Sequence, residues 1–195
     1  MKAKVDTIEN PLSGERITFL TTGEQSGGEF ARIRCALPAG ASGPPLHYHL
    51  AFTETFEVIE GRLDLYVGGK NNHLVLQSGE SAHAPLKVPH TFFNGSEEPV
   101  VFECEIQPAR RFERSMRAAF GLARDGRTNR EGVPKNVWEL ALLYELSESY
   151  VVGMPLFLQR GIFGALAAIA RRRGYDPEFS RYAAPEEPVR RRPAV

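Results

Sequence analysis

The stretch His47-Tyr48-His49-Leu50-Ala51-Phe52-Thr53-Glu54, followed after six more residues by Gly61, decides the reading of this chain. A second stretch answers it: Gly79, Pro85, His90 and Asn94. In a strand, residues i and i+2 share a face, so His47 and His49 are expected to point inward together. Glu54 opens the next strand segment and is expected to face the same cavity, with His90 arriving from elsewhere in the fold. Three imidazoles and one carboxylate make a candidate mononuclear metal site. Imidazole suits the later first-row metals, and a carboxylate adds a hard oxygen and one negative charge. The expected cofactor is one divalent transition metal ion: Fe, Mn, Ni, Zn or Cu. Six-coordinate geometry around these four ligands leaves two positions open, as a catalytic site requires.

Around these stretches the pattern is short and strand-like. Glu15 to Thr21 reads as one strand. From Glu29 to Leu37, Ala31, Ile33, Cys35 and Leu37 alternate with Phe30, Arg32 and Arg34, giving one wetted face. Arg62 to Val67 alternates in the same way. Further strands are expected at 54–59, 73–77, 81–84, 90–93 and 100–106, separated by Gly, Pro and Asn turns. This spacing points to a sandwich or barrel. After Pro108 the period becomes helical. Helices are expected at Arg111 to Arg124, from an Asn136 cap through Leu146, and from Pro155 through Arg173. The Pro- and Arg-rich tail, 183–195, reads as disordered. The expected division is a barrel over 1–108, with its two stretches at 40–61 and 79–94, and a helical extension over 109–182. That extension is expected to pack on the barrel or on a second copy.

The chain has 195 residues and equal numbers of acidic and basic groups. The charge is unevenly spread: residues 1–108 hold 8 Lys and Arg against 14 Asp and Glu, and the remainder holds 16 against 10. Such an imbalance suits two parts that attract each other, and it is poor support for nucleic-acid binding. Cys35 and Cys104 are far apart and fall on apolar positions of strands, which reads as burial. Neither a signal peptide nor a membrane-spanning run is visible, so a cytoplasmic location is expected.

The two stretches resemble the two signature motifs of the cupin superfamily, over roughly residues 28–108. The resemblance is to single-domain cupins of the quercetinase-like type. It implies a mainly β fold, a double-stranded β-helix or jelly-roll barrel, here with a C-terminal helical extension. It also implies metal ligation by His47, His49, Glu54 and His90. Two positions depart from the pattern. Ala41 stands where the family has Gly, with Gly40 or Gly43 available to take that turn. Lys87 stands where the family has Gly, and the turn there is expected to differ.

Three function classes follow. A metal-dependent oxygenase would act on a small enolic or phenolic molecule, with Glu54 as catalytic base. A non-redox isomerase or cyclase would use the ion as Lewis acid. A binding or sensor protein would use the same pocket without turnover. Phe56, Phe92, Phe102 and His83 are candidate pocket residues, with plain barrel core as the alternative for the three rings. Tyr48, opposite in direction to its histidine neighbours, is expected at the surface or an interface. The expected partners are a small-molecule ligand and a second copy of the chain.

Overall fold

The computed structural model describes residues 6–184. Ten strands come first: β1 (Asp6–Glu9), β2 (Arg16–Thr21), β3 (Ala31–Leu37), β4 (His47–His49), β5 (Thr53–Glu60), β6 (Arg62–Val67), β7 (His73–Gln77), β8 (Ser81–Ala84), β9 (His90–Phe93) and β10 (Val100–Gln107). Helices α1 (Phe112–Arg124) and α2 (Val137–Ser147) follow, then a short strand β11 (Ser149–Val151), then α3 (Leu156–Arg172) and α4 (Tyr175–Tyr182). The strands form two antiparallel sheets, ordered β1-β2-β3-β10-β5-β8 and β11-β4-β9-β6-β7. This is a double-stranded β-helix with C-terminal helices.

The inner faces set the register. Along β3, Ala31, Ile33, Cys35 and Leu37 are buried, and along β10 so are Val100, Phe102, Cys104 and Ile106. Arg32 pairs with Glu105, and Arg34 with Glu103, on the outer face. Exposed ion pairs of this kind contribute ~1 kcal/mol or less. Each large apolar side chain taken out of water contributes about 1.5–3 kcal/mol. A one-residue slip would put the whole inner set into solvent, so the apolar alternation decides. Both cysteines are free and buried, as their strand positions implied.

Three turns bring the ligand strands to their places. Gly61 (φ +85°) joins β5 to β6, and a Cβ there would lie 2.9 Å from the Pro99 carbonyl oxygen. Gly40 takes the left-handed turn at φ +69°. The third turn corrects the expectation for Lys87. The turn is kept, and lysine occupies it at φ +65°. Its N–H donates to the His49 carbonyl at 2.7 Å, so the turn preceding β9 is tied to β4.

The helices join the barrel. Phe112 and Phe120 of α1 lie in the barrel core, with Met116 and Ala119 against it. Ala118 and Leu122 face a second core built from Leu142, Leu146, Ala167 and Ala170. Arg117, buried, bonds Glu113 and reaches back to Asp6 of β1. Its guanidinium lies 4.3 Å from the Phe19 ring centre. Asn136 caps α2, accepting from the Trp138 N–H at 2.9 Å. Three elements, β1, β11 and α4, were not anticipated. Ala183, placed by sequence in a disordered tail, is buried in the second core. Residues 185–195 of that expected tail lie outside the described residues. No helix among the described residues is long and apolar enough to cross a membrane.

Two stability predictions follow from buried or strained positions. Left-handed φ costs a non-glycine residue ~1–2 kcal/mol, part of which glycine loses again through unfolded-chain entropy. Lys87→Gly is therefore expected to raise unfolding free energy by about 0.5–1 kcal/mol in urea titrations, and a lowered value would contradict the assigned turn. Glu15 shares the inward direction of Ile17 and Phe19 and is buried. Burial pushes its carboxyl up to about 7 from an ordinary 4.5. The folded chain thus holds this proton to higher pH than the unfolded chain does. The associated stability is present below pH 4.5 and is lost as pH rises through 7, by roughly 3 kcal/mol. Glu15→Gln should be more stable than the parent at pH 8, with the advantage largely gone at pH 5. Equal urea midpoints at pH 8 would refute it.

Candidate metal centre

Strand β4 is three residues long, and its alternation turns His47 and His49 inward and Tyr48 outward. His47 is paired in register with His90 of β9. Glu54 comes from β5 in the facing sheet, where it pairs with Ile106 and Ala84. The structure therefore brings together three imidazoles from one sheet and one carboxylate from the other. All four residues are buried, and one ligand atom from each lies within 4.8 Å of the others. Ligand atoms about 2.1 Å from one ion lie some 3–4 Å apart, so the cluster needs only a small contraction to close on an ion.

The hydrogen bonds settle which nitrogens are available. The His47 Nδ1 lies 2.8 Å from the Pro45 carbonyl, and the His90 Nδ1 lies 3.0 Å from the Val88 carbonyl. The His49 Nδ1 lies 3.3 Å from the Glu148 carbonyl. A carbonyl only accepts, so each Nδ1 carries the hydrogen. In a neutral ring Nε2 is then a bare lone pair. The Nε2 atoms of His47 and His49 face each other at 3.1 Å. Two lone pairs at that distance repel, and a cation bound by both relieves them. The His90 Nε2 lies 2.7 Å from Glu54 Oε2, with the His49 Nε2 at 3.6 Å from the same oxygen.

Electrostatics support the same occupant. Burial, with His90 and His49 adding to it, pushes His47 down to about 3, so this ring stays neutral. Burial opposes the charge on Glu54, but the His49 and His90 imidazoles prevail and hold its carboxyl well below the usual range. Burial likewise opposes a proton on His90, and the Glu54 carboxylate overrides it, raising that imidazole above its ordinary value. A donor set of three imidazoles and a carboxylate suits a divalent transition metal.

The other expected pocket residues lie elsewhere. Phe56, Phe92 and Phe102 are buried and pack ring on ring, with centroids 5.1–6.2 Å apart. They form barrel core next to the cluster, with the Phe56 ring centroid 6.3 Å from that of His90. His83 is a correction of the same kind. Its partner in register is Thr55, one residue from Glu54 and so on the outer face. It is exposed, with Nδ1 2.9 Å from the Thr55 hydroxyl. Tyr48 is half-buried rather than free, since its ring stacks on Tyr150 of β11. Asn94, a motif residue, is structural: its side-chain amide donates to the Leu37, Pro38 and Glu98 carbonyls.

Sequence reasoning missed the walls of the site. The ring of Phe52 stacks on His49 with centroids 3.9 Å apart. Strand β11 pairs with β4, setting Ser149 opposite His49. The only signal for β11 was Tyr150-Val151-Val152 before Gly153, too short to stand out between two helices.

His49→Ala is expected to remove most bound metal, measured by elemental analysis after dialysis, with the far-UV circular dichroism of the barrel retained. Full metal retention by the folded variant would contradict the assignment.

The cupin domain family model matches residues 33–105. No curated protein matches the chain. Among solved structures, a sugar phosphate isomerase of the cupin superfamily from Silicibacter pomeroyi is 26% identical, over 48% of this chain and 59% of that one, with a TM-score of 0.43. The match thus spans less than two thirds of the isomerase's length. A predicted oxalate decarboxylase from Thermotoga maritima is 20% identical over 55% of this chain and 94% of its own, TM-score 0.48. A cupin from Shewanella frigidimarina is 22% identical over 56% and 89%, TM-score 0.46. Both stretches, with His47, His49, Glu54 and His90, fall inside the residues that match the cupin domain model.

Proposed function

We propose that the chain is a metal-dependent enzyme acting on a small enolic or phenolic molecule, with dioxygenase-like chemistry of the quercetinase type. The observation that carries this reading is the set of buried Nε2 lone pairs aimed at one point beside the Glu54 carboxylate. A bound divalent ion would supply a Lewis-acidic, redox-capable centre with a net charge of +1. The residues do the rest. Three imidazoles are held in orientation by main-chain acceptors, so they present lone pairs without rearrangement. Glu54, the one carboxylate in the cluster, stays ionised and is the base that takes the proton of an enol or phenol. Phe52 and the aromatic layer around Phe56 keep water from the inner side.

A second copy of the chain is the proposed protein partner. Helix α3 turns Phe157, Leu158 and Ile162 outward, with Phe157 73% exposed. An apolar face of this kind on a folded protein marks an interaction surface.

The test is oxygen uptake by metal-loaded protein against a panel of enolic and phenolic compounds. Uptake should depend on the metal, and Glu54→Gln should lower turnover by ~100-fold or more. Conversion of a substrate at the same rate under nitrogen would contradict the dioxygenase reading and favour an isomerase or cyclase.

A further inference from the structure

Three non-glycine residues among those described have left-handed backbone: Lys87, Arg110 and Glu148, at φ +65°, +49° and +51°. Lys87 and Glu148 bond His49, and Arg110 bonds Glu148. The Lys87 N–H donates to the His49 carbonyl. The Glu148 carbonyl accepts from His49 Nδ1, with the Ser149 hydroxyl 3.5 Å from the same nitrogen. Arg110 grips the Glu148 carboxylate with two bonds, Nε at 3.1 Å and Nη2 at 2.7 Å. Backbone held in sparsely populated conformations persists where the surroundings over-determine it, and it clusters at functional sites.

The connections explain the arrangement. His47 and His90 take their Nδ1 acceptors from two residues upstream in their own strands' approach, Pro45 and Val88. His49 instead takes its acceptor from a residue 99 positions away, at the end of α2. Glu148 is the C-terminal cap of that helix, and its left-handed turn swings the carbonyl toward β4. Arg110 lies just beyond β10, the strand that pairs Ile106 with Glu54. Arg111 adds a bond to the Glu145 carbonyl at 2.7 Å, placing a second guanidinium at the negative end of α2. The clamp therefore spans from the Glu54 sheet, across the helix end, to the ligand histidine of the other sheet.

Resting on the metal-centre reading, we propose that Glu148 is a positioning residue. Its main-chain carbonyl holds His49 in the Nδ1–H tautomer with Nε2 toward the metal point, and its carboxylate, clamped by Arg110, holds that carbonyl in place. The helical extension is thereby part of the metal centre. Outer partners of ligand histidines typically change metal affinity by 10- to 100-fold.

The experiment uses the full chain and Co2+ as probe. Affinity by competition and the visible absorption bands of bound Co2+ are measured for the parent, Arg110→Ala, Glu148→Ala, the double exchange Arg110→Glu/Glu148→Arg, and Arg171→Ala. The last variant breaks an ion pair to Glu145 in the same helical layer without touching Glu148. In parallel, 15N NMR of the metal-free proteins reads the His49 tautomer. The proposal expects both single variants to lose ~10-fold or more in affinity, with shifted Co2+ bands and a mixed His49 tautomer. It expects recovery in the double exchange and parental behaviour for Arg171→Ala. Affinity within about twofold of the parent, with unchanged bands and tautomer, would overturn it, as would an equal loss in Arg171→Ala. A parent that binds no Co2+ would sink the metal-centre reading, and the tautomer measurement would still decide whether Glu148 positions His49.

Discussion

Three main-chain carbonyls, one on the Nδ1 of each of His47, His49 and His90, are the constraint on which the candidate site depends. Each carbonyl fixes a tautomer, and each tautomer leaves a lone pair on the opposite nitrogen. Buried lone pairs aimed at one another are costly when nothing lies between them. The only negative group in the cluster, Glu54, approaches from the other sheet. The two sheets of the barrel therefore meet at a point that demands positive charge. The Glu54 carboxylate raises the His90 imidazole above its ordinary value, and a divalent ion would meet the same demand more completely. The charge demand is local, while the geometry that creates it is distributed over β4, β5, β9 and the end of α2.

The helices matter for the same reason. Helix α1 shares the barrel core on one side and the helical core on the other. It stands between the two and gives α2 a fixed platform. Without that platform, the end of α2 could not hold a carbonyl beside His49. The three-residue pairing of β11 with β4 is too short to be stable alone, and it persists because helices anchor both of its ends. Gln159, buried in α3, bonds the Val151 N–H and carbonyl and the Tyr144 hydroxyl. It holds the strand from behind.

The barrel and the shared facing of His47 and His49 were readable in the sequence because both rest on period-two alternation. His47 and His49 are two apart, and Ile33, Cys35 and Leu37 follow the same rule, so local spacing stated the facing directly. The helix cap at Asn136 was readable for a similarly local reason. What escaped was non-local. Nothing near Ser149 announces that it will lie against a strand 100 residues earlier, so the stacking of Tyr48 on Tyr150 was not legible. Phe56, Phe92 and Phe102 were known to point inward, but whether an inward ring lines a cavity or fills it depends on the facing sheet. His83 failed on parity: it pairs with Thr55, whose neighbour Glu54 takes the inner face. Lys87 shows the reverse error. A residue poorly suited to left-handed backbone suggested a different turn, yet the hydrogen bond to His49 and the neighbouring strands hold the turn against that local preference.

The most direct test of the account is X-ray absorption at the edge of the metal bound by the full-length protein. Three imidazole nitrogens and one carboxylate oxygen bound at about 2.0–2.2 Å should appear, with the multiple-scattering pattern of rings ligated through Nε2. A first shell lacking imidazole scattering would mean that the buried cluster is not where this protein holds its metal.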